Sequence, residues 1–224
     1  MTEHPTPAWR VEPGLLDYAA GVAAMEARAE AVARGEAREL IWLVEHASVY
    51  TAGTSADPAE HVGRPDIPLV RTGRGGRHTW HGPGQRVVYP VLNLGARRRD
   101  VRGYVAALEG WAVGALARLG VAAFTIAGDT GIWVREGGTV AKIGAIGVRI
   151  RRWVAFHGMA LNVSPDLAAY SGIVPCGIAD RGVTSLAALG VAADMAALDA
   201  ALAAGREAFL HSISDAGEMM YQDA

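Results

Sequence analysis

The chain holds one cysteine, Cys176, and no uninterrupted apolar run of the length that a membrane-spanning helix needs. A single thiol closes no internal disulfide, and the opening residues, MTEHPTPAWRVEPG, lack the apolar core of a secretory leader. These absences point to the cytoplasm, a reducing compartment, and to no membrane attachment. A formal net charge of −2 over 224 residues argues against a general nucleic-acid binder. Also lacking are the Gly-Lys-Ser/Thr of a P-loop, the GxGxxG of a dinucleotide fold, internal repeats, low-complexity stretches and a clear linker. Positive charge is nevertheless clustered, at Arg71, Arg74 and Arg77, at Arg97, Arg98, Arg99 and Arg102, and at Arg149, Arg151 and Arg152. Each cluster is either a solvated face or a landing site for an acidic partner.

What is present is a chain long enough to bury a core without disulfides or metals. Residues 14–34 are alanine-rich with apolar residues at helical spacing and end at Gly35. ELIWLVEH (39–46) reads as a buried strand, residues 51–68 as loop, and VVYPVLNL (87–94) as a strand that Pro90 confines to an edge or a bulge. A long helix follows from an Asp100 cap to Gly120. FTIA, GIWVRE, TVAKIGAIGVRI and WVAFHGMALNV read as successive strands, with a hairpin turn at Glu136-Gly137-Gly138. Residues 193–211 form a last amphipathic helix, and the end of the chain reads as a tail. Helices flanking a run of strands, without strict βαβ alternation, predict an α/β or α+β fold with a mixed sheet. The expected division is an extension over 1–13, one catalytic domain over 14–212, and a flexible tail over 213–224.

Four segments carry side chains suited to chemistry. RGGRHTWHGPGQ (74–85) is a glycine-rich stretch loaded with Arg77, His78, Trp80 and His81; such backbone can cradle an anion or a carbonyl. His78 and His81 are spaced to share a metal, but no second cluster supplies a third ligand, so structural or pocket-lining histidines are the favoured reading. In AKIGAIGVRI (141–150), Lys142 sits in an apolar strand and either snorkels to solvent or exchanges protons. In FHGMALNV (156–163), His157 is a core or pocket histidine, and Gly158-Met159-Ala160 could wall a narrow alkyl slot. In IVPCGI (173–178), Cys176 is either an inert buried thiol or a nucleophile held on a stiff, open bend between Pro175 and Gly177.

Taken in order, these four segments, with ELIWLVEHASVYTAG and VTSL (183–186), resemble the signature segments of the octanoyltransferase family, over about residues 14–210. The resemblance implies a fold like that of biotin and lipoate protein ligases: a mixed sheet flanked by helices, with a smaller sheet. It implies transfer of an octanoyl group from octanoyl-acyl carrier protein to a lysine of lipoyl domains, those of 2-oxoacid dehydrogenase complexes and the glycine cleavage H protein, with no metal or other cofactor. It assigns Cys176 as acyl acceptor and Lys142 as catalytic lysine. It assigns substrate contacts to Arg74, Gly75, Gly76, Arg77, His78, Thr79, Trp80, His81, Ala145, Ile146, Gly147, Gly158, Met159 and Ala160. Trp80 stands where the family commonly has tyrosine, which would keep an aromatic wall. Gly144 stands where alanine, serine or cysteine is frequent, which would loosen the pocket near Lys142. The rival reading is an ATP-dependent lipoate or biotin ligase on the same fold, which needs no cysteine.

Overall fold

A computed structural model describes residues 5–64, 66–173 and 181–214. Cys176, with the rest of the expected bend from 174 on, and the expected tail from 215 on lie outside the described residues. In chain order the elements are β1 (Ala8–Leu16), α1 (Tyr18–Ala33), β2 (Leu40–His46), β3 (Val49–Ala52), β4 (Leu69–Arg71), β5 (His78–His81), β6 (Gln85–Asn93), α2 (Val101–Arg118), β7 (Phe124–Ile126), β8 (Asp129–Glu136), β9 (Thr139–Arg151), β10 (Val154–Asn162), β11 (Gly182–Val183) and α3 (Met195–Ser212). The main sheet runs β1-β2-β6-β10-β9-β8-β7, with β11 on β9, and a small sheet runs β4-β3-β5. Parallel pairing at β1–β2, β11–β9 and β3–β4 within otherwise antiparallel ladders makes both sheets mixed, as the strand pattern predicts.

The central strands are buried along their length because both faces of the sheet are covered. On one face, α2 and α3 pack Leu108, Trp111, Leu198 and Phe209 against Ile41, Val88, Ile132, Ile143 and Leu161. Trp111 stacks on Phe209 at 4.5 Å between ring centroids, and its indole N–H donates to the Leu202 carbonyl at 2.9 Å. On the other face, α1 packs Met25, Ala29 and Val32 against Trp42, Val87, Tyr89 and Ala160. Each long helix opens on an aspartate. Asp17, Asp100 and Asp194 accept the amides of Ala20, Gly103 and Ala197, all at 2.8 Å, a cap worth about 1 kcal/mol. The Gly137-Gly138 turn joins β8 to β9 with φ of 54° and 83°. Arg152 and Trp153 adopt the same left-handed pair, φ 51° and 60°, between β9 and β10, at a cost that glycine would avoid.

Three expectations change. Residues 8–13 belong to β1 and hydrogen-bond in the main sheet; β1's polar, proline-broken sequence hid it. His78–His81 is strand β5, not loop. Pro90 lies in a central strand, between β2 and β10, not at an edge. On the β2 side it keeps its register with Ile41. On the β10 side the register passes from Leu92–Ala155 to Val88–Met159 with no pairs between, because proline has no N–H to give. Within that gap His157 takes φ 59°, a left-handed conformation in the middle of a strand.

A second irregularity lies in β9. Ile132 pairs with Gly144, but Trp133 pairs with Lys142, which leaves Ile143 as an extra residue. Strand side chains alternate between faces, so an odd separation normally sends two residues to opposite sides. The bulge cancels that alternation. Ile143 and Gly144 both turn toward α2 and α3, while Lys142 and Ala145 share the α1 face. Gly144 therefore does not loosen the pocket. A Cβ there would meet Leu161 Cδ2 at 2.6 Å and Ile132 Cδ1 at 3.1 Å, inside the helix-side core.

Arg86 of β6 and Asp199 of α3 tie helix to sheet through a bidentate pair at 2.8 and 2.9 Å, with the arginine side chain 5% exposed. Asp199→Ala strands that guanidinium, and the expected loss is about 3 kcal/mol, read as a lower urea midpoint. The double substitution Arg86→Met, Asp199→Leu, which leaves no buried charge, is expected to recover most of it.

Candidate active site

A cavity enclosing about 500 Å³ of atom-free space, part of it open to solvent, lies on the α1 face of the main sheet. Its floor is formed by Ala145, Ile146 and Gly147 of β9 and Gly158, Met159 and Ala160 of β10. Ala145 faces Ala160 and Gly147 faces Gly158 in register, so the floor is a trough almost without side chains. Gly158 does not tolerate a Cβ, and at Gly147 one would be tight. At Gly158 it would sit 2.1 Å from the Val88 carbonyl oxygen, and at Gly147 3.0 Å from Arg74 Cδ and 3.1 Å from the Gly75 carbonyl oxygen. Gly76, Arg77, His78, Thr79 and His81 roof the trough, and Tyr18, Val87 and Tyr89 close its side.

Arg74 shapes the roof. Its guanidinium turns inward and donates to the Thr51 carbonyl at 2.9 Å, Thr51 Oγ1 at 2.6 Å, the Arg77 carbonyl at 3.1 Å and the Gly75 carbonyl at 3.0 Å. The Gly75 amide donates to the Val148 carbonyl at 2.9 Å, which pins the segment to β9 and uses that N–H structurally. Trp80 is not a wall of the cavity. Strand alternation turns it to the far side of β5, where it meets Tyr170 edge-on at 5.5 Å among Tyr50, Ile67, Ala169 and Ile173.

The histidines diverge rather than converge on a metal. His78 stacks on His61 at 5.9 Å. His81 donates from Nδ1 to Gln85 Oε1 at 2.6 Å, and Gln85 in turn donates to Asn162 Oδ1 at 2.9 Å and Tyr170 Oη at 2.8 Å. Burial, with His46 beside it, pulls His81 down to about 3, and burial, with Arg74 near, does the same to His157. Both imidazoles are therefore neutral at pH 7. His46, behind the cavity, donates from Nδ1 to the Leu16 carbonyl at 2.9 Å. Its Nε2 therefore accepts from the Tyr89 hydroxyl at 2.7 Å. Burial raises the Tyr89 phenol well above its ordinary value, which keeps that proton in place. Tyr18, Tyr89 and His46 were not singled out in the sequence. The available signal was a phenol within an apolar strand, which needs a buried hydrogen-bond partner.

Lys142 does not snorkel. Its side chain is 8% exposed; the amine sits 4.4 Å over the Trp133 ring, donates to the Thr130 carbonyl at 3.3 Å and stands 4.0 Å from Asp129 Oδ1. Arg181 lies over the same ring at 5.1 Å and donates to Asp129 Oδ2 at 2.8 Å. β11 pairs Val183 with Lys142, and the Thr184 amide donates to the Lys142 carbonyl at 2.9 Å. Lys142 is also the chain's only lysine beside twenty arginines, a signal that the sequence reading passed over. The arginine clusters are partly consumed by structure: Arg97 is buried against Glu39, Arg77 pairs with Glu60, and Arg149 and Arg151 pair with Glu26 and Glu30 of α1.

The neutral histidines fix the sign of the pH dependence. A folded-state value below the unfolded one means that the unfolded chain binds more protons between pH 6.5 and 3. Stability is therefore full above pH 6.5 and falls on acidification. Each such group contributes up to about 1.4 kcal/mol per pH unit within that window. His157→Asn is expected to flatten the loss between pH 6.5 and 5, read by urea unfolding at each pH.

The lipoyl protein ligase A/B catalytic domain family matches residues 17–206. An octanoyltransferase of Sphingopyxis alaskensis is 58% identical over 214 residues, covering 95% of this chain and 98% of that protein. One of Rhizorhabdus wittichii is 59% identical over 194 residues, covering 87% of each. Among solved structures, a bi-partite lipoate protein ligase of Thermoplasma acidophilum superposes with a TM-score of 0.68 at 18% identity, over 92% of this chain and 85% of that one, a likeness of fold. With relatives this similar along nearly the whole of both sequences, the chain belongs to the octanoyltransferase family.

Proposed function

We propose that the chain transfers an octanoyl group from octanoyl-acyl carrier protein to the lysine of lipoyl domains through a thioester on Cys176, with Lys142 as the proton-transfer group, and that it does so in the cytoplasm. The acceptors are the lipoyl domains of 2-oxoacid dehydrogenase complexes and the glycine cleavage H protein. The observation that carries this reading is the placement of Lys142. Its amine is buried, on the face of the sheet that holds the trough, beside β11, and β11 opens six residues after Cys176 in the sequence. Described chain anchors both ends of the segment that contains Cys176. Ile173 bridges to His61, and Arg181 shares Asp129 and the Trp133 ring with Lys142.

The chemistry fits such a site. In the first half-reaction the Cys176 thiolate attacks the donor carbonyl; a new C–S bond forms, the donor C–S bond breaks, and the carrier thiol leaves with a proton. One thioester replaces another, so no nucleotide is consumed. In the second, the acceptor lysine's neutral amine attacks, the C–N bond forms, the C–S bond to Cys176 breaks, and the proton lost by the amine passes to the departing sulfur. Lys142 serves both halves, as an ammonium that favours the thiolate and as an amine that takes the acceptor's proton. The trough suits the alkyl chain, since each buried methylene is worth roughly 0.8 kcal/mol.

Incubation with octanoyl-acyl carrier protein, followed by intact mass, is expected to show one octanoyl adduct on the enzyme without ATP. Cys176→Ala is expected to lose the adduct and transfer while remaining folded, and Lys142→Arg to slow both halves by about a hundred-fold or more. ATP-dependent transfer that survives Cys176→Ala would establish the ligase reading instead.

A further inference from the structure

On the reading that the trough holds the acyl chain, we infer that His157 is the specificity-determining residue for the far end of that chain: it stops straight chains at octanoyl and accepts a hydrogen-bonding group there. The trough has a direction. Its inner wall is the buried group Tyr18, His81, Tyr89 and His157. On β9 Lys142 precedes the floor, which begins at Ala145, and Gly147 with its partner Gly158 lies further on, roughly 15 Å along the strand from Lys142. His157 borders the Gly147 end of the floor, next to Gly158.

Three independent features show that the position of this ring is enforced. Its backbone is left-handed at φ 59°, in the ladder gap that Pro90 leaves. Its amide donates to the sulfur of Met25 at 3.1 Å. The ring is held between Phe156, stacked at 5.5 Å, and Tyr89, edge-on at 6.2 Å. Left-handed backbone at a residue other than glycine persists only where its surroundings over-determine it, and such residues gather at ligand sites.

The fourth feature says what the ring is for. His157 is 2% exposed, lines the cavity, and its Nε2 has no hydrogen-bond partner among the described residues. A straight chain one carbon longer than octanoyl would press a methyl group against a fixed ring and cover that nitrogen without satisfying it. A hydroxyl at the same place both donates and accepts, so it pairs with either tautomer of a neutral imidazole.

The test compares two thioesters of acyl carrier protein with equal numbers of heavy atoms in the acyl chain, nonanoyl and 8-hydroxyoctanoyl, on the wild-type protein, with kcat/KM for acceptor acylation read by mass. The hydroxylated chain is expected to win by about ten-fold or more. His157→Gly and His157→Asn, both compatible with left-handed backbone, shorten the stop. They are expected to raise the decanoyl-to-octanoyl ratio by about ten-fold or more, a ratio that partial unfolding does not move. Equal or better transfer of nonanoyl by the wild type overturns the inference. So does an unchanged decanoyl-to-octanoyl ratio in either folded variant. If neither variant folds, the wild-type pair decides alone. Failure of the wild type to transfer any acyl chain overturns the underlying reading as well, an outcome distinct from transfer without discrimination.

Discussion

In β9, Ile143 has no partner on β8, and that one unpaired residue sets which face of the main sheet can carry chemistry. Without it, Lys142 and Ala145 would point to opposite sides, one of them into the core beneath α2 and α3. With it, a buried amine and a floor of small residues stand on the same side of the sheet. The cost of the bulge is local: β9 pairs with β8 from Thr139 to Lys142 and again at Gly144, and with β10 from Gly144 to Arg151. Ile143 meets that cost by burying its side chain completely among Ile132, Leu161 and the helices. The helix-side core thus supports the position of the amine on the opposite face.

The cavity itself follows from a second defect two strands away. Pro90 withholds a hydrogen bond from β10, and β10 responds by turning His157 left-handed and bringing its ring to the α1 face. Gly158, which no side chain could replace against the Val88 carbonyl, lets the two strands stay close through the break. Around this point the polar groups are arranged to stay uncharged. The Leu16 carbonyl fixes the tautomer of His46, His46 takes the proton of Tyr89, and Gln85 fixes His81. A wall built of neutral hydrogen-bonding groups can border an alkyl chain without the desolvation cost that an imidazolium or a carboxylate would impose.

Much of this was legible in the sequence, and the limits are physical. The strands β2, β6 and β8 to β10 are announced by apolar runs, α2 by its period and the Asp100 cap, and α3 by its period. The run Gly158 to Ala160 is legible as the wall of a slot, and Ala145 to Gly147 as substrate contacts through the family resemblance. β1 is not legible, since its residues to Pro13 read as an extension and those from Gly14 on as the start of a helix; it forms because β2 offers it a free edge. The side of β5 that Trp80 takes was hidden for a related reason. A glycine-rich run conceals where the strand begins, and the alternation that turns Trp80 from the cavity cannot be counted until that start is known. The bulge at Ile143 left no mark in composition at all, because an extra isoleucine in an apolar strand looks like any other.

The distribution of cations carries the argument one step further. Arginine cannot release its proton in a protein, and its planar fork suits fixed pairs such as Arg86 with Asp199, Arg97 with Glu39 and Arg74 with the Thr51 backbone. A lysine amine can release a proton, and a free amine is itself an acyl acceptor. This chain uses arginine at twenty positions and lysine at one, and the one lies inside, against Trp133, on the cavity face. An enzyme that hands acyl groups to lysines gains from this arrangement twice. Its structural cations compete neither for the proton nor for the acyl group, and the single side-chain amine that could do either is buried over Trp133.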